Sequence, residues 1–136
     1  MADNIIVDGV KFSADMKTLV SYPREKTDEI YRVPYGVEEI GEDAFENYEL
    51  KTLVLPAGLV EIVQYAFFCP NLETLYVPVS LKRVCLKAFA NCGSLKQIYY
   101  EGTRGQWEKI LIANSSLKFE KAEIVFEHTQ KKGSLK

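Results

Sequence analysis

The sequence predicts a short α/β solenoid built around one parallel β-sheet, and two observations predict it. The first is a constant step that several columns keep together: Pro34, Pro56 and Pro78; the pairs Ala44-Phe45, Ala66-Phe67 and Ala88-Phe89; Val37, Leu59 and Leu81; Ile40, Ile62 and Val84. The second is an alternating strand signature at the head of each step, Tyr31-x-Val33, Leu53-x-Leu55 and Leu75-x-Val77. After Phe89 the step lengthens by one, because Asn91 to Leu95 holds one residue more than Asn47 to Leu50. A repeat of roughly 20 to 29 residues carrying an L-x-x-L-x-L strand is the signature of a leucine-rich solenoid, whose units bury their apolar faces only by stacking on one another.

Residues 1–28 read as an N-terminal cap, since a terminal rung would otherwise expose its apolar end. Residues 5 to 22 hold two strands. Ile5 to Val7 leads through Asp8-Gly9 to Val10 to Phe12, a polar break follows over Ser13 to Lys17, and Thr18 to Tyr22 runs until Pro23 stops it. An antiparallel hairpin over residues 10 to 22 closes the end of the core. Arg24 to Asp28 is a charged loop, and the repeats occupy 29–100.

Within a rung the alternation assigns faces. Leu53 and Leu55 point inward, as do Leu75 with Val77 and Ile98 with Tyr100, so Thr52 and Val54 and their equivalents face out. Pro56 and Pro78 follow the strand, where a missing amide hydrogen breaks no ladder. The chain then turns back through Val37, Leu59 or Leu81 and Ile40, Ile62 or Val84, expected as turns or short 3₁₀ pieces opposite a concave sheet. Ala44, Ala66 and Ala88 let the backbones approach closely, while Phe45, Phe67 and Phe89 stack between layers.

Beyond Tyr100 the pattern changes to a helix-strand C-terminal cap over 101–127. Thr103 caps a short helix with Trp107, Ile110 and Leu111 on its apolar side, Asn114 to Ser116 ends it, and Leu117 and Phe119 precede Ala122-x-Ile124-x-Phe126, which alternates as a strand does. Residues 128–136 are polar and without period, the composition of a disordered tail. The whole of 1–127 is one domain.

Composition narrows function. The chain has 136 residues, 47% of them apolar, and a net charge of −2 from 17 basic and 19 acidic side chains. Neither sign forms a long block before the tail, which speaks against nucleic acid and against a polybasic membrane anchor. No apolar run nears the roughly 18 residues of a membrane span, so no membrane insertion is expected. No secretion signal opens the chain, as in a cytoplasmic protein or in a piece of a larger extracellular or cell-surface one. Oligomeric state is left open by the sequence.

Cys69, Cys85 and Cys92 lack metal-ligand spacing, so no metal and no cofactor are expected. Cys69 and Cys92 fall near one repeat column and read as buried free thiols, although neighbouring rungs also bring that column together and leave their pairing open. Cys85 reads as partly exposed. No enzyme is expected. His128 is the only histidine and stands in the polar tail, Glu38, Glu39, Glu42, Asp43 and Glu46 lie on solvent-side turns, and Gly102 to Gly105 lacks the spacing of a phosphate loop. Trp107 reads as a cover for the last rung rather than a sugar platform. Asn114-Ser115-Ser116 is a glycosylation sequon by pattern.

The outward strand positions make the candidate binding surface. One column is Arg32, Val54, Tyr76 and Tyr99; the next is Ile30, Thr52, Thr74 and Gln97; beyond it lie Lys51, Glu73 and Lys96. Tyrosine and arginine on rigid strands beside hydroxyl and amide groups suit a protein or glycan partner, with Arg32, Thr52, Val54, Thr74, Tyr76, Gln97 and Tyr99 as its contacts. The bland alternative is that Tyr76 and Tyr99 only pack across neighbouring strands.

The columns together, L-x-x-L-x-L-P-x-x-(V/L)-x-x-I-x-x-x-A-F-x-x-C-x-x-L, resemble the BspA-like class of bacterial leucine-rich repeats, and Leu72 through Leu95 follows the form closely. One residue is missing from it near Asn47-Tyr48 and near Cys69-Pro70. Phe12 to Pro23 resembles the opening segment of these proteins, and Ile98 to Ile110, with Gly102, Thr103, Gln106 and Trp107, their usual close, so the likeness covers about residues 10 to 126. It implies the solenoid fold and a module of bacterial surface or secreted proteins implicated in adhesion to host proteins or other bacteria. It equally admits a structural end segment or spacer of a larger repeat protein, with no ligand of its own.

Overall fold

The computed structural model describes residues 3–113 and 122–128. Each turn of the chain presents up to three sides. Strands β4 (Ile30–Arg32), β7 (Thr52–Val54), β10 (Thr74–Val77), β12 (Gln97–Tyr100) and β14 (Glu123–Val125) form a five-stranded parallel sheet in chain order. The second side carries β5 (Glu39–Ile40), β8 (Glu61–Ile62), β11 (Arg83–Val84) and β13 (Leu111–Ile112), also parallel, and the third carries β6 (Phe45–Glu46) and β9 (Phe67–Phe68). The register is the sequence repeat made physical: Leu53 pairs with Leu75 and Ile40 with Ile62, each with its counterpart one repeat step along the chain.

Two expectations are corrected here. The side opposite the five-stranded sheet is not turns or 3₁₀ pieces but a second sheet, extended by β1 (Ile5–Val7), β2 (Val10–Phe12) and β3 (Thr18–Ser21) to seven strands. The α/β label gives way to a mostly β solenoid, because the helix found among the described residues is a single turn, α1 (Arg104–Trp107).

The N-terminal segment makes three strands rather than two. Asp8 and Gly9 have φ of 51° and 82°, a two-residue turn that folds β1 back on β2, and β2 pairs antiparallel with β3. Strand β3 then runs parallel to β5, so the hairpins continue the second side rather than the five-stranded sheet.

The inward faces follow the alternation. Leu53, Leu75, Val77, Ile98 and Tyr100 are buried in one core cluster with Leu59, Ile62, Leu81 and Val84. Along the third side, Phe45 stacks on Phe67 at 5.0 Å between ring centroids and Phe67 on Phe89 at 4.6 Å. Tyr22 extends this stack, 5.0 Å from Phe45. These distances match the strand spacing of about 4.8 Å, so one ring per rung fills the layer without a gap. The alanines beside them are buried, and the backbone ladder Tyr22 N to Ala44 O, Phe45 N to Ala66 O and Phe67 N to Ala88 O passes alongside. After each of the first two strands of the main sheet the chain turns at Gly36 or Gly58, with φ of 104° and 94°, a left-handed conformation that glycine adopts without a Cβ clash.

The lengthened rung takes its extra residue on the third side. There Phe89 to Asn91 is a turn rather than a strand, while Thr74 still faces Gln97 across the main sheet.

At the C-terminal end Thr103 and Gln106 cap α1 reciprocally: Gln106 N donates to Thr103 Oγ1 at 3.2 Å, and Thr103 N donates to Gln106 Oε1 at 2.8 Å. Trp107 meets Tyr100 edge-on at 5.0 Å, over the last inward residue of β12. Ile110 is buried, but Leu111 is not on an apolar helix face. It is 66% exposed, because the chain leaves the helix after Trp107 and Leu111 opens β13 beside Arg83. Asn114 to Ser116, Leu117 and Phe119 lie outside the described residues, as does the tail from Thr129 onward.

The three cysteines are free thiols, Cys69 and Cys92 fully buried and Cys85 partly so. Burial, with the neighbouring Cys92, pushes the Cys69 thiol well up, and burial pushes Cys92 up to about 11. Burial and a hydrogen bond from Cys85 Sγ to Glu61 Oε2 at 3.3 Å raise Cys85 as well. A thiol reagent should therefore label Cys85 in the native protein ahead of Cys69 and Cys92, and faster as pH rises and thiolate accumulates. Mass spectrometry of a labelling time course checks this; one common rate for all three before unfolding would misplace the column.

Candidate functional site

The outward residues of the main sheet fall into two register rows. Arg32, Val54, Tyr76, Tyr99 and Val125 form one, and Ile30, Thr52, Thr74, Gln97 and Glu123 the other. Side chains of one row stand beside one another because parallel pairing with a constant repeat gives equivalent positions the same direction. Where the strands end, Pro34, Pro56 and Pro78 repeat at the same interval and raise a wall beside the first row. Between row and wall lies a groove of about 420 Å³ that runs across the strands.

The floor is apolar. Val54 faces out as the alternation predicts, yet it is only 8% exposed. Its row neighbours are Arg32 and Tyr76, so it underlies the groove rather than standing free in solvent. Tyr76 and Tyr99 stack at 4.9 Å with their planes 18° apart. Tyr35, 87% exposed, stands at the rim beside Arg32. At the other end Glu101 Oε1 accepts from the backbone N–H of Val79 at 3.2 Å.

His128 is the main departure from the expected site. Its composition places it at the head of the polar tail, but its backbone N–H donates to Tyr100 O at 2.9 Å, and its ring lies 4.7 Å from Tyr99 and 5.5 Å from Tyr76. It therefore lines the groove.

Charge is unevenly matched around the site. The chain has four arginines. Arg24 pairs with Glu46 at 3.9 Å, Arg83 with Glu61 at 3.1 Å, and Arg104 lies 4.7 Å over the Phe126 ring. Arg32 has no such ion pair or ring contact among the described residues. Burial raises the Tyr76 phenol and the adjacent Tyr99 adds to this, while the Arg32 charge pulls the other way. On the second side, Arg83 first and then the Cys85 thiol hold the Glu61 carboxyl below its ordinary value. That cluster satisfies itself. Among the described residues no group of three or more His, Cys, Asp or Glu side chains is placed to hold a metal ion, and no helix is long and apolar enough to cross a membrane.

Of the sequence-predicted contacts, the groove gathers Arg32, Val54, Tyr76 and Tyr99. Thr52, Thr74 and Gln97 stand in the neighbouring row and do not line it. Sequence reasoning missed Tyr35, Glu101 and His128 as members. The periodic prolines carry a signal, since their common step places them in one line, but taken singly they mark only strand stops. Glu101 and His128 have no counterpart in the repeat.

Comparison with known proteins bears on this fold. The family model described as BspA type leucine rich repeat region matches residues 25–124 in six copies, well over half of the chain. No curated protein matches the chain. A leucine-rich cell surface protein of Faecalibacterium prausnitzii A2-165 is similar over 79% of this chain and 42% of its own, with 24% identity and a TM-score of 0.48. The pneumococcal vaccine antigen PcpA is similar over 93% of this chain and 48% of its own, with 20% identity and a TM-score of 0.45. A leucine-rich repeat protein of Eubacterium ventriosum ATCC 27560 is similar over 99% and 53%, with 12% identity and a TM-score of 0.35. The chain thus spans about half the length of the solved chains it resembles.

Proposed function

The chain belongs to the BspA-type leucine-rich repeat family, and from that premise we propose that it is a non-catalytic binding module of a bacterial surface or secreted protein. It takes a protein or glycan partner in the groove beside the Arg32–Tyr99 row. The observation that carries this reading is the groove itself: an apolar floor, two tyrosines and a guanidinium with no ion pair among the described residues, held on strands whose own backbone groups are spent on the ladder. Inward residues are consumed by the core, so what remains for recognition is this row, in the residue types that dominate interface energies.

A purely structural role is the second reading, and one observation favours it: Tyr76, Tyr99 and His128 pack on one another. The double substitution Tyr76→Ala with Tyr99→Ala separates the two. It should leave the far-ultraviolet circular dichroism nearly unchanged while weakening, by about tenfold or more, binding to a partner first recovered with the wild-type chain. Undiminished affinity in a folded double variant would return the sheet to a structural role.

A further inference from the structure

We infer, resting on the reading of the groove as a binding site, that its ligand is an extended proline-rich peptide with a carboxylate side chain at the Arg32 end. Ring orientation argues for a peptide over a glycan. A sugar stacks on the open face of an aromatic ring, but Tyr76 and Tyr99 each cover one face of the other at 4.9 Å, about the spacing of their strands, and His128 leans on both, so little ring face is left for a sugar. A pair stacked along the row presents its ring edges to the groove. Ridges of this kind grip the pyrrolidine rings and exposed carbonyls of a polyproline II segment.

The backbone of the groove points the same way. Val33 N donates to Val54 O, Leu55 N to Tyr76 O and Glu101 N to Val77 O, and Pro34, Pro56 and Pro78 have no N–H to offer. A ligand that needed main-chain pairing, as an added β-strand does, would find no free donors at these positions. A polyproline II segment makes no internal hydrogen bonds and keeps its backbone solvated, so it forgoes little there.

Length and charge complete the match. From Arg32 to Tyr99 the row crosses four strands, or three steps of about 4.8 Å, and at about 3.1 Å per residue that length accommodates roughly five residues. Among the described residues Arg32 has no ion pair at its end of the row, and the Glu101 carboxylate stands at the other. The acidic side chain of the ligand therefore belongs at the first end and is repelled from the second.

The test is an array of immobilised pentapeptides, each with at least three prolines and with Asp, Ser or Lys at the first or fifth position. Tetramers of glucose, galactose and N-acetylglucosamine are placed beside them, and the array is probed with the labelled full chain. Asp-bearing peptides should bind and their Lys counterparts should not. In solution, Arg32→Gln should weaken the Asp peptide by about tenfold, with Arg32→Lys intermediate because the charge stays while the planar fork is lost. Binding to no peptide, to a tetrasaccharide alone, or with equal strength in Arg32→Gln overturns the inference. The two levels separate cleanly. A glycan lost in the double tyrosine variant overturns the peptide and leaves the groove standing, whereas a peptide held equally by that variant overturns the groove itself.

Discussion

Replacing Phe67 by alanine should lower stability by about 3 to 5 kcal/mol, while Tyr76→Ala should cost roughly 1 kcal/mol or less. Phe67 is 1% exposed and sits mid-stack, with Phe45 on one side and Phe89 on the other. Losing the ring removes its transfer energy and leaves a void between two layers. The layers cannot close over it, because the backbone ladder on that side fixes their separation: Phe45 N bonds Ala66 O, and Phe67 N bonds Ala88 O. Tyr76 stands half-buried on the outer face and leaves a gap that water can fill. Urea titrations followed by circular dichroism compare the two, read from midpoints at unchanged slope. Equal losses would show that the ring column is not the core of the third side.

Asn47→Ala should cost about 2 to 4 kcal/mol, a large effect for removing so small a side chain. Among the described residues Asn47 is the polar one buried in the core, fully enclosed. Its Nδ2 donates to Pro23 O and to Lys26 O, each at 3.0 Å, and lies 3.4 Å from Arg24 O, while its Oδ1 accepts from the N–H groups of Glu49 and Leu50 at 2.9 Å. One amide thus ties the cap loop to the first rung, and truncation leaves the buried Leu50 N–H and several part-buried backbone groups without their partner. Asn71 is the control. Its amide donates to Tyr48 O at 2.7 Å in an exposed setting, where water replaces the bond and Asn71→Ala should cost about 1 kcal/mol or less. Thermal unfolding of both variants checks the pair, and a small loss at Asn47 would mean the loop does not depend on it.

Phe67 and Asn47 show what was legible in the sequence. Phe67 could be read because its environment is generated by the repeat: the same pair of letters one rung away is also its spatial neighbour. The inward Leu53 and Leu75 and the outward Arg32, Val54, Tyr76 and Tyr99 were legible for the same reason, since alternation within a strand and translation between rungs fix both coordinates. Asn47 was visible only as a spacing mark. It occupies the place of Cys69 and Cys92, just before the next rung's leucine, and its polarity answers to carbonyls of the cap loop that no local pattern announces. The second sheet was missed because two-residue strands such as Glu39–Ile40 alternate once and leave no period to detect. Tyr22 and His128 join aromatic stacks from outside the repeats, so nothing in the repeat step pointed to them.

The lengthened rung has a bearing on how this architecture tolerates change. Its additional residue is taken up at Phe89 to Asn91, where the third side makes a turn, and the pairing of Tyr76 with Tyr99 across the main sheet is undisturbed. The three sides are therefore not equivalent in what they permit. A one-residue insertion within a strand of the main sheet would turn the outward residues that follow it in that strand inward and disturb both core and groove. On the third side the sequence already contains such an insertion, and the surface opposite keeps its phase. Drift in length, or a loop grafted for display, thus has a permitted address on this molecule, and it lies on a different side of the coil from the residues that would recognise a partner.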